Sequence, residues 1–174
     1  LSDLTGAAGT TLSILANYKG ESTGGIYVDG SAETDAYLDM AGGYFYNPDD
    51  TLIGGQLSDI IGGFAGNDTL RGNSGNDQIF GGEGNDNIRG DAGNDDINGG
   101  DGIDTAVYAG IYANYTIVQD NVNGLITITD NFGTEGTDTL IGVNDYTRTQ
   151  SPPGKGPAPA ELQGAQDEQY LRLL

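Results

Sequence analysis

The sequence predicts an all-β solenoid built from nine-residue repeats, and three regular features indicate it. An aspartate recurs every nine residues, a glycine stands five residues before each aspartate, and a branched aliphatic residue follows most of them by two. The aspartates are Asp59, Asp68, Asp77, Asp86, Asp95 and Asp104. The aliphatic residues are Ile61, Leu70, Ile79, Ile88 and Ile97. A fixed period of this kind indicates a stack of similar units.

Each nine-residue unit predicts one turn followed by one short strand. The first six residues are rich in glycine, which the backbone needs where φ is positive or where two segments approach closely. The last three residues, such as 69–71, predict a strand that sends Leu70 to one face and its neighbours to the other. One aliphatic side chain per unit cannot form a core alone, so we expect coils of two units that stack their aliphatic residues. Such coils give parallel strands on two faces, with the turns along two edges.

The turns carry the chemistry of the repeats. With two units per coil, aspartates eighteen residues apart lie on the same edge. One edge then holds Asp68, Asp86 and Asp104, and the other holds Asp59, Asp77 and Asp95. Like charges would stand roughly 5 Å apart along each edge, at the spacing of neighbouring strands. Carboxylates and backbone carbonyls are hard oxygen ligands that suit calcium, and such ions would turn the repulsion into attraction.

The clearest unit, 81–89, reads Gly-Gly-Glu-Gly-Asn-Asp-Asn-Ile-Arg. It resembles the repeat of the RTX, or hemolysin-type, calcium-binding family. The resemblance implies a right-handed parallel β-roll that binds several calcium ions. It also implies that carbonyls and the aspartate of one turn bind each ion, and that the aspartate of the next coil completes the site. The candidate metal ligands are Asp59, Gly63, Gly66, Asp68, Gly72, Ser74, Gly75, Asp77, Gly81, Glu83, Gly84, Asp86, Gly90, Ala92, Gly93, Asp95, Gly99 and Asp104.

The units at 54–62 and 99–107, at the two ends of the array, depart from the repeat pattern. We therefore expect them to cap the ends of the roll, and their role as calcium sites is less well supported by the sequence. Inside the array, Phe64, Asn73 and Asp91 replace the second glycine of a turn. Two alternatives stay open: a disordered Gly/Asn/Asp linker, and a solenoid that needs no calcium. The constant phase of the aliphatic residues argues against a linker.

The amino-acid composition argues against several classes of binding partner and of catalytic site. The 174 residues carry 6 Lys+Arg against 26 Asp+Glu, a formal charge of −20, which argues against nucleic acid or an anionic membrane as partner. The chain has no His and no Cys, which excludes zinc sites, Ser-His-Asp triads and Cys-His dyads within it. No segment approaches the roughly 20 apolar residues of a membrane helix. With 31 glycines, the chain is expected to need bound ions in order to fold.

The residues before the repeats, 1–47, predict a β-rich flank or cap with strands at 10–16, 26–29, 36–40 and 44–46. Asp50 and Leu52 keep the nine-residue phase, so the β-roll is expected over 48–107. Five tyrosines cluster in this flank, which is typical of core or cap residues, although an aromatic carbohydrate groove is also open. They are Tyr18, Tyr27, Tyr37, Tyr44 and Tyr46.

The residues after the repeats, 108–145, predict a capping hairpin. Segments 115–119 and 125–129 flank Asn123-Gly124, a strong hairpin turn. With the Gly-Thr-Asp-Thr-Leu run at 136–140, they resemble the flank that follows the repeats in type I secreted proteins, where it covers open strand edges. The Pro/Gly-rich tail, 146–174, predicts little packing, with a weak helix over 161–174.

The resemblance implies a non-catalytic, secreted module. It would form the C-terminal region of a larger bacterial protein exported by a type I secretion apparatus, and it would fold when it meets calcium outside the cell. An alternative is a polysaccharide-binding module of a secreted enzyme, with Arg71 and Arg89 as contacts. Another is the non-catalytic end of a secreted protease or lipase.

Overall fold

A computed structural model describes residues 9–15, 24–43, 48–110, 112–120, 122–143, 145–148 and 170–172. The first ten strands are β1 (Thr10–Leu15), β2 (Tyr27–Asp29), β3 (Ala36–Ala41), β4 (Thr51–Ile53), β5 (Ile60–Ala65), β6 (Thr69–Ser74), β7 (Gln78–Glu83), β8 (Asn87–Ala92), β9 (Asp96–Asp101) and β10 (Thr105–Tyr108). A 3-10 turn (Tyr112–Asn114) precedes β11 (Tyr115–Asp120), β12 (Leu125–Asp130), β13 (Thr137–Ile141), β14 (Asp145–Arg148) and β15 (Tyr170–Arg172).

The chain alternates between two sheets, as two repeats per coil predict. One sheet has the order β1-β3-β5-β7-β9-β13-β12-β11, and the other has the order β15-β14-β10-β8-β6-β4-β2. Neighbouring repeat strands are parallel and lie eighteen residues apart, so that Ile61 pairs with Ile79 and Leu70 pairs with Ile88. The all-β parallel roll that the sequence predicts is therefore confirmed.

The core is a double column of aliphatic side chains between the sheets. Each repeat contributes one side chain, and all of these are at most 3% exposed. They are Leu52, Ile61, Leu70, Ile79, Ile88 and Ile97, with Leu38 and Met40 continuing the column toward the N-terminus. Because each side chain contacts only its own and neighbouring coils, the stability of the roll depends on contacts between successive coils.

The repeat strands are longer than the three residues that the pattern predicts. Strand β6 runs over six residues, because Asn73 and Ser74 continue the parallel pairing with Asp91 and Ala92 of the next coil. The three residues that replace the second glycine have positive φ, a conformation that glycine adopts easily. They are Phe64 (76°), Asn73 (76°) and Asp91 (72°). The turns therefore keep their shape without that glycine, at a local conformational cost.

The N-terminal flank continues the same two sheets. Strand β2 pairs in parallel with β4, and β3 pairs in parallel with both β1 and β5. The predicted strand at 44–46, and the side chains of Tyr18, Tyr44 and Tyr46, lie outside the described residues. Tyr27 and Tyr37 are exposed, so these two tyrosines do not belong to the core.

The capping hairpin also forms as predicted. Strands β11 and β12 are antiparallel around Gly124, and β12 pairs with β13, which returns in parallel to β9. Most of the predicted tail, 149–169 and 173–174, lies outside the described residues. Within the span predicted as a weak helix, Tyr170–Arg172 instead forms a strand against β14, because pairing with an open sheet edge satisfies its backbone groups. No helix among the described residues is long and apolar enough to cross a membrane.

Candidate metal sites

Each repeat aspartate stands where a turn meets the next strand, and the aspartates form two ladders along the edges of the roll. The Asp68 N–H donates to Asp86 Oδ1 at 2.8 Å on one edge. On the other edge, the Asp77 N–H donates to Asp95 Oδ1 at 2.8 Å. Each ladder joins residues eighteen apart, which is the pairing that the nine-residue period predicts. Each of these hydrogen bonds uses one carboxylate oxygen, Oδ1, and leaves the second oxygen, Oδ2, for another partner.

The carboxylates are buried, although aspartate is among the residues that are almost never fully buried unless paired. Exposure of the repeat aspartates is 2% or less. Several of their Oδ2 atoms have no hydrogen-bond partner among the described residues, and a buried polar atom in that state is costly. These atoms belong to Asp68, Asp77, Asp86 and Asp95. Because the same buried oxygen recurs in successive turns, we expect a bound partner at each of them.

Glycine keeps a small space open beside each of these oxygens. A Cβ atom on Gly72 would overlap Asp77 Oδ2 and would lie 2.7 Å from the carbonyl oxygen of Gly90 in the next coil. Gly63 stands in the same relation to Asp68 Oδ2 and to the carbonyl oxygen of Gly81, also at 2.7 Å. The first glycine of the repeat is therefore required because carboxylate and carbonyl oxygens of two coils converge where its side chain would be.

The second glycine column and the third turn position shape the same turns. The second-column glycines have φ between 121° and 136°, and the preceding coil packs against them; they are Gly66, Gly75, Gly84 and Gly93. The Glu83 and Ala92 carbonyls accept bonds of 2.9 Å from the Gly66 and Gly75 N–H groups. A carbonyl oxygen has a second lone pair, so these groups can still bind a cation. Ser74 pairs with Ala92 at the same turn position.

The N-terminal end of each ladder differs from the interior. Asp59 Oδ2 accepts a hydrogen bond of 2.6 Å from the Gly55 N–H, and Asp50 Oδ2 accepts one from the Gly43 N–H. Backbone amides thus supply the partner that the interior carboxylates lack. At the other end, Asp104 Oδ1 accepts from the Asp86 N–H at 2.9 Å, and Gly99 lies against Asp104 and the Gly142 carbonyl.

Burial makes these carboxylates poor acids. It raises the pKa of Asp68 to about 7, of Asp77 to about 8, and of Asp86 and Asp95 to about 6, against an ordinary value of 3.8. The bond from the preceding aspartate's N–H opposes the rise in pKa, and the neighbouring acidic side chains add to it. To be fully ionised at neutral pH, the ladders therefore need positive charge close by.

The two arginines of the repeats do not supply that positive charge. Arg71 and Arg89 both form ion pairs with Asp91 on the outer face of the roll. Arg71 and Arg89 lie side by side on neighbouring strands and balance a surface charge. No group of three or more acidic side chains converges on one point within the described ranges. A cation bound at a turn would therefore take most of its ligands from backbone carbonyls, which suits calcium.

The structure shows two further features of the edges that the sequence analysis did not predict. Asparagine side chains form an outer ladder, in which Asn67 Oδ1 accepts from the Asn85 N–H and Asn76 Oδ1 accepts from the Asn94 N–H, both at 2.9 Å. Their own nine-residue spacing could have revealed this ladder. Asp138 joins the aspartate ladder from outside the repeats, by accepting from the Asp95 N–H at 2.9 Å.

Acidification without calcium is expected to increase the β-sheet content of this chain. The folded carboxyls hold protons up to pH values of about 6 to 8, whereas unfolded ones release them near 3.8. Stability from this source is therefore full below about pH 4 and falls as the pH rises through the folded pKa values. Circular dichroism in EDTA between about pH 8 and pH 4 measures the effect. A β signal that weakens on acidification would contradict it.

The comparison with known families agrees with the geometry. Residues 49–79 and 71–106 match the family model of the RTX calcium-binding nonapeptide repeat, with four copies. No curated protein matches the chain. The matched residues contain the described turns in which glycine, carbonyl and carboxylate groups of successive coils meet. Residues 49–106 of this chain are therefore RTX calcium-binding repeats that form a parallel β-roll.

Proposed function

We propose that calcium ions bind between successive turns of the roll and that their binding drives its folding. One observation carries the proposal: buried Asp Oδ2 atoms without hydrogen-bond partners among the described residues stand beside spaces that only glycine leaves open. Calcium there would satisfy those oxygens and neutralise their charge. It would also join two coils, so that binding free energy becomes folding free energy.

The ligands follow from the repeat. In each turn the aspartate and the backbone carbonyls would bind one ion, and the aspartate of the next coil would complete the site. The proposed set is Asp59, Gly63, Gly66, Asp68, Gly72, Ser74, Gly75, Asp77, Gly81, Glu83, Gly84, Asp86, Gly90, Ala92, Gly93, Asp95, Gly99 and Asp104. Within this set Asp59 has the weaker role, because the Gly55 N–H already occupies its Oδ2.

The biological setting follows from the dependence on calcium. Where calcium is scarce, repulsion within a chain of charge −20 would keep it open, which suits threading through a type I secretion apparatus. Outside the cell, calcium at roughly millimolar concentration would fill sites with dissociation constants of about 10⁻⁴ to 10⁻³ M. The folded roll would then stabilise a larger secreted protein, and this chain would take no part in catalysis.

Polysaccharide binding gains no support from its two candidate contacts. Arg71 and Arg89 are each paired with Asp91, so their charge is already balanced. Calcium-dependent folding remains the function that the geometry favours.

Titration calorimetry tests the proposed function. We expect calcium to bind with dissociation constants of about 10⁻⁴ to 10⁻³ M, and magnesium to bind much more weakly because it needs a smaller, near-octahedral site. Sodium chloride at matched ionic strength is the control for screening. Heats that are the same for calcium and sodium chloride would refute the proposal.

A further inference from the structure

The first glycine of each repeat follows a residue that faces outward, and in the last repeat that residue is an asparagine. Asn98 lies in β9 directly before Gly99, and the sequence contains one other Asn-Gly pair, Asn123-Gly124. The earlier repeats place unlike residues at the position of Asn98, namely Ile53, Gly62, Arg71, Phe80 and Arg89. The last repeat therefore carries a chemical feature that the others lack.

An asparagine that precedes a glycine can lose its side-chain amide without an enzyme. The glycine nitrogen gives up its proton and attacks the asparagine Cγ, which forms a five-membered imide and releases ammonia. Water then opens the imide at either carbonyl, so that the product is aspartate or isoaspartate. Glycine favours this reaction because it has no side chain to hinder the attack.

The folded roll restrains Asn98 on both sides. Asn98 pairs with Phe80 of β7 and with Ile141 of β13. Gly99 is buried, and a Cβ atom on it would lie 2.5 Å from Asp104 Oδ2. The Gly99 nitrogen can reach the side chain of Asn98 only if the backbone leaves its extended form. The reaction at Asn98 therefore requires β9 to open.

The fold restrains the second pair much less. Asn123 and Gly124 are exposed in the turn of the hairpin. The Gly124 N–H donates to the Asp120 carbonyl at 2.9 Å, and the Asn123 side-chain amide donates to Asp120 Oδ2 at 2.6 Å. Bonds in an exposed turn open far more readily than those of a strand that is paired on both sides. Asn123 thus gives an internal reference for Asn98.

We propose that Asn98-Gly99 is a deamidation site that the calcium-bound roll protects and the calcium-free chain exposes. This inference rests on the proposed calcium-dependent folding. A group that reacts only in the open form reacts in proportion to the population of that form. Because calcium lowers this population, it slows the reaction at Asn98.

Isoaspartate at position 98 would damage the roll more than aspartate would. It routes the main chain through Cβ and Cγ, which adds one backbone atom before Gly99. The pairing of β9 with β13 and the place of Gly99 beside Asp104 both depend on the present spacing. Strand β13 carries the capping hairpin, so the cap would lose its attachment to the roll. A chain kept without calcium would therefore lose its ability to fold as time passes.

Peptide mapping by mass spectrometry tests the proposal on the full chain after incubation in EDTA or in millimolar calcium. Chromatography of the same peptides separates aspartate from isoaspartate. We expect deamidation at Asn98 to be at least about tenfold slower in calcium than in EDTA, because β9 must open first. Asn123 is expected to react in both conditions.

The outcomes separate this inference from the proposed function. Equal rates at Asn98 in calcium and in EDTA, in a chain whose circular dichroism shows the calcium-induced fold, would overturn the deamidation site and leave the proposed function standing. A circular-dichroism spectrum that calcium does not change would overturn both.

Two matched variants test the consequence for folding. Asn98→Gln and Asn123→Gln each remove one reactive pair, because glutamine would have to close a six-membered imide, which is much slower. Each chain is incubated in EDTA, calcium is added, and the recovered β signal is measured. Recovery is expected to fall with incubation time in the wild type and in Asn123→Gln, and to stay constant in Asn98→Gln. Equal loss of recovery in the wild type and Asn98→Gln, or no loss in the wild type, would overturn the proposal.

Discussion

Removing calcium with EDTA near neutral pH is expected to convert this chain from a β-rich to a disordered state. The two ladders bury many carboxylates, and Arg71 and Arg89 form ion pairs with Asp91 instead of with the ladders. An uncompensated buried charge costs several kcal/mol, whereas a whole domain is stable by about 5 to 15 kcal/mol. A few bare carboxylates therefore outweigh the stability that the thin aliphatic core contributes. Far-ultraviolet circular dichroism measures the change.

The reverse titration shows whether calcium acts as a ligand or as a screening ion. Restoring free calcium is expected to restore the β-rich spectrum in one cooperative transition, because each ion joins two coils. Sodium chloride at the same ionic strength screens charges without bridging them, so it should not restore the spectrum. A β-rich spectrum that persists in EDTA near pH 8 would show that the ladders are stable without cations.

Replacing Asp77 and Asp86 together by alanine is expected to abolish the calcium-induced transition at millimolar calcium. Asp77 lies in the middle of one ladder, where it accepts from the Asp59 N–H at 2.7 Å. Asp86 lies in the middle of the other ladder, where it accepts from the Asp68 N–H. Because each aspartate stands between two neighbouring turns of its edge, the double variant weakens up to four proposed sites.

The expected size of this effect is comparable to the stability of a domain. A site held at a calcium concentration about tenfold above its dissociation constant contributes about 1.4 kcal/mol, so four sites contribute about 5 to 6 kcal/mol. The matched control replaces Asp96 and Asp101, both exposed, by alanine and makes the same change of charge. The control is expected to keep the transition. A transition that survives unchanged in the Asp77/Asp86 variant would remove those residues from the sites.

The interior of the roll could be predicted because its period is short and unbroken. A spacing of nine residues sets the stacking of Ile61 on Ile79, and the same spacing sets the pairing of Asp68 with Asp86. Since each coil repeats the contacts of the last, one correct assignment of turn and strand determines the rest. The spacing also places Arg71 beside Arg89, but only the structure shows that they share Asp91.

The ends of the roll could not be predicted in the same way, because there the contacts are no longer periodic. Asp138 joins its ladder after the hairpin has interrupted the repeat, so no spacing in the sequence connects it with Asp95. Asp59 keeps the spacing, yet its second oxygen is bonded to the Gly55 N–H. A repeat pattern gives the position of a carboxylate but not the partners that each oxygen finds.

Anomalous X-ray scattering from crystals grown with ample calcium tests the central claim most directly. We expect ordered calcium ions beside Asp68, Asp77, Asp86 and Asp95, each bound by oxygens from two coils. A well-ordered roll in such crystals, with no calcium in the turns between residues 63 and 95, would contradict the account.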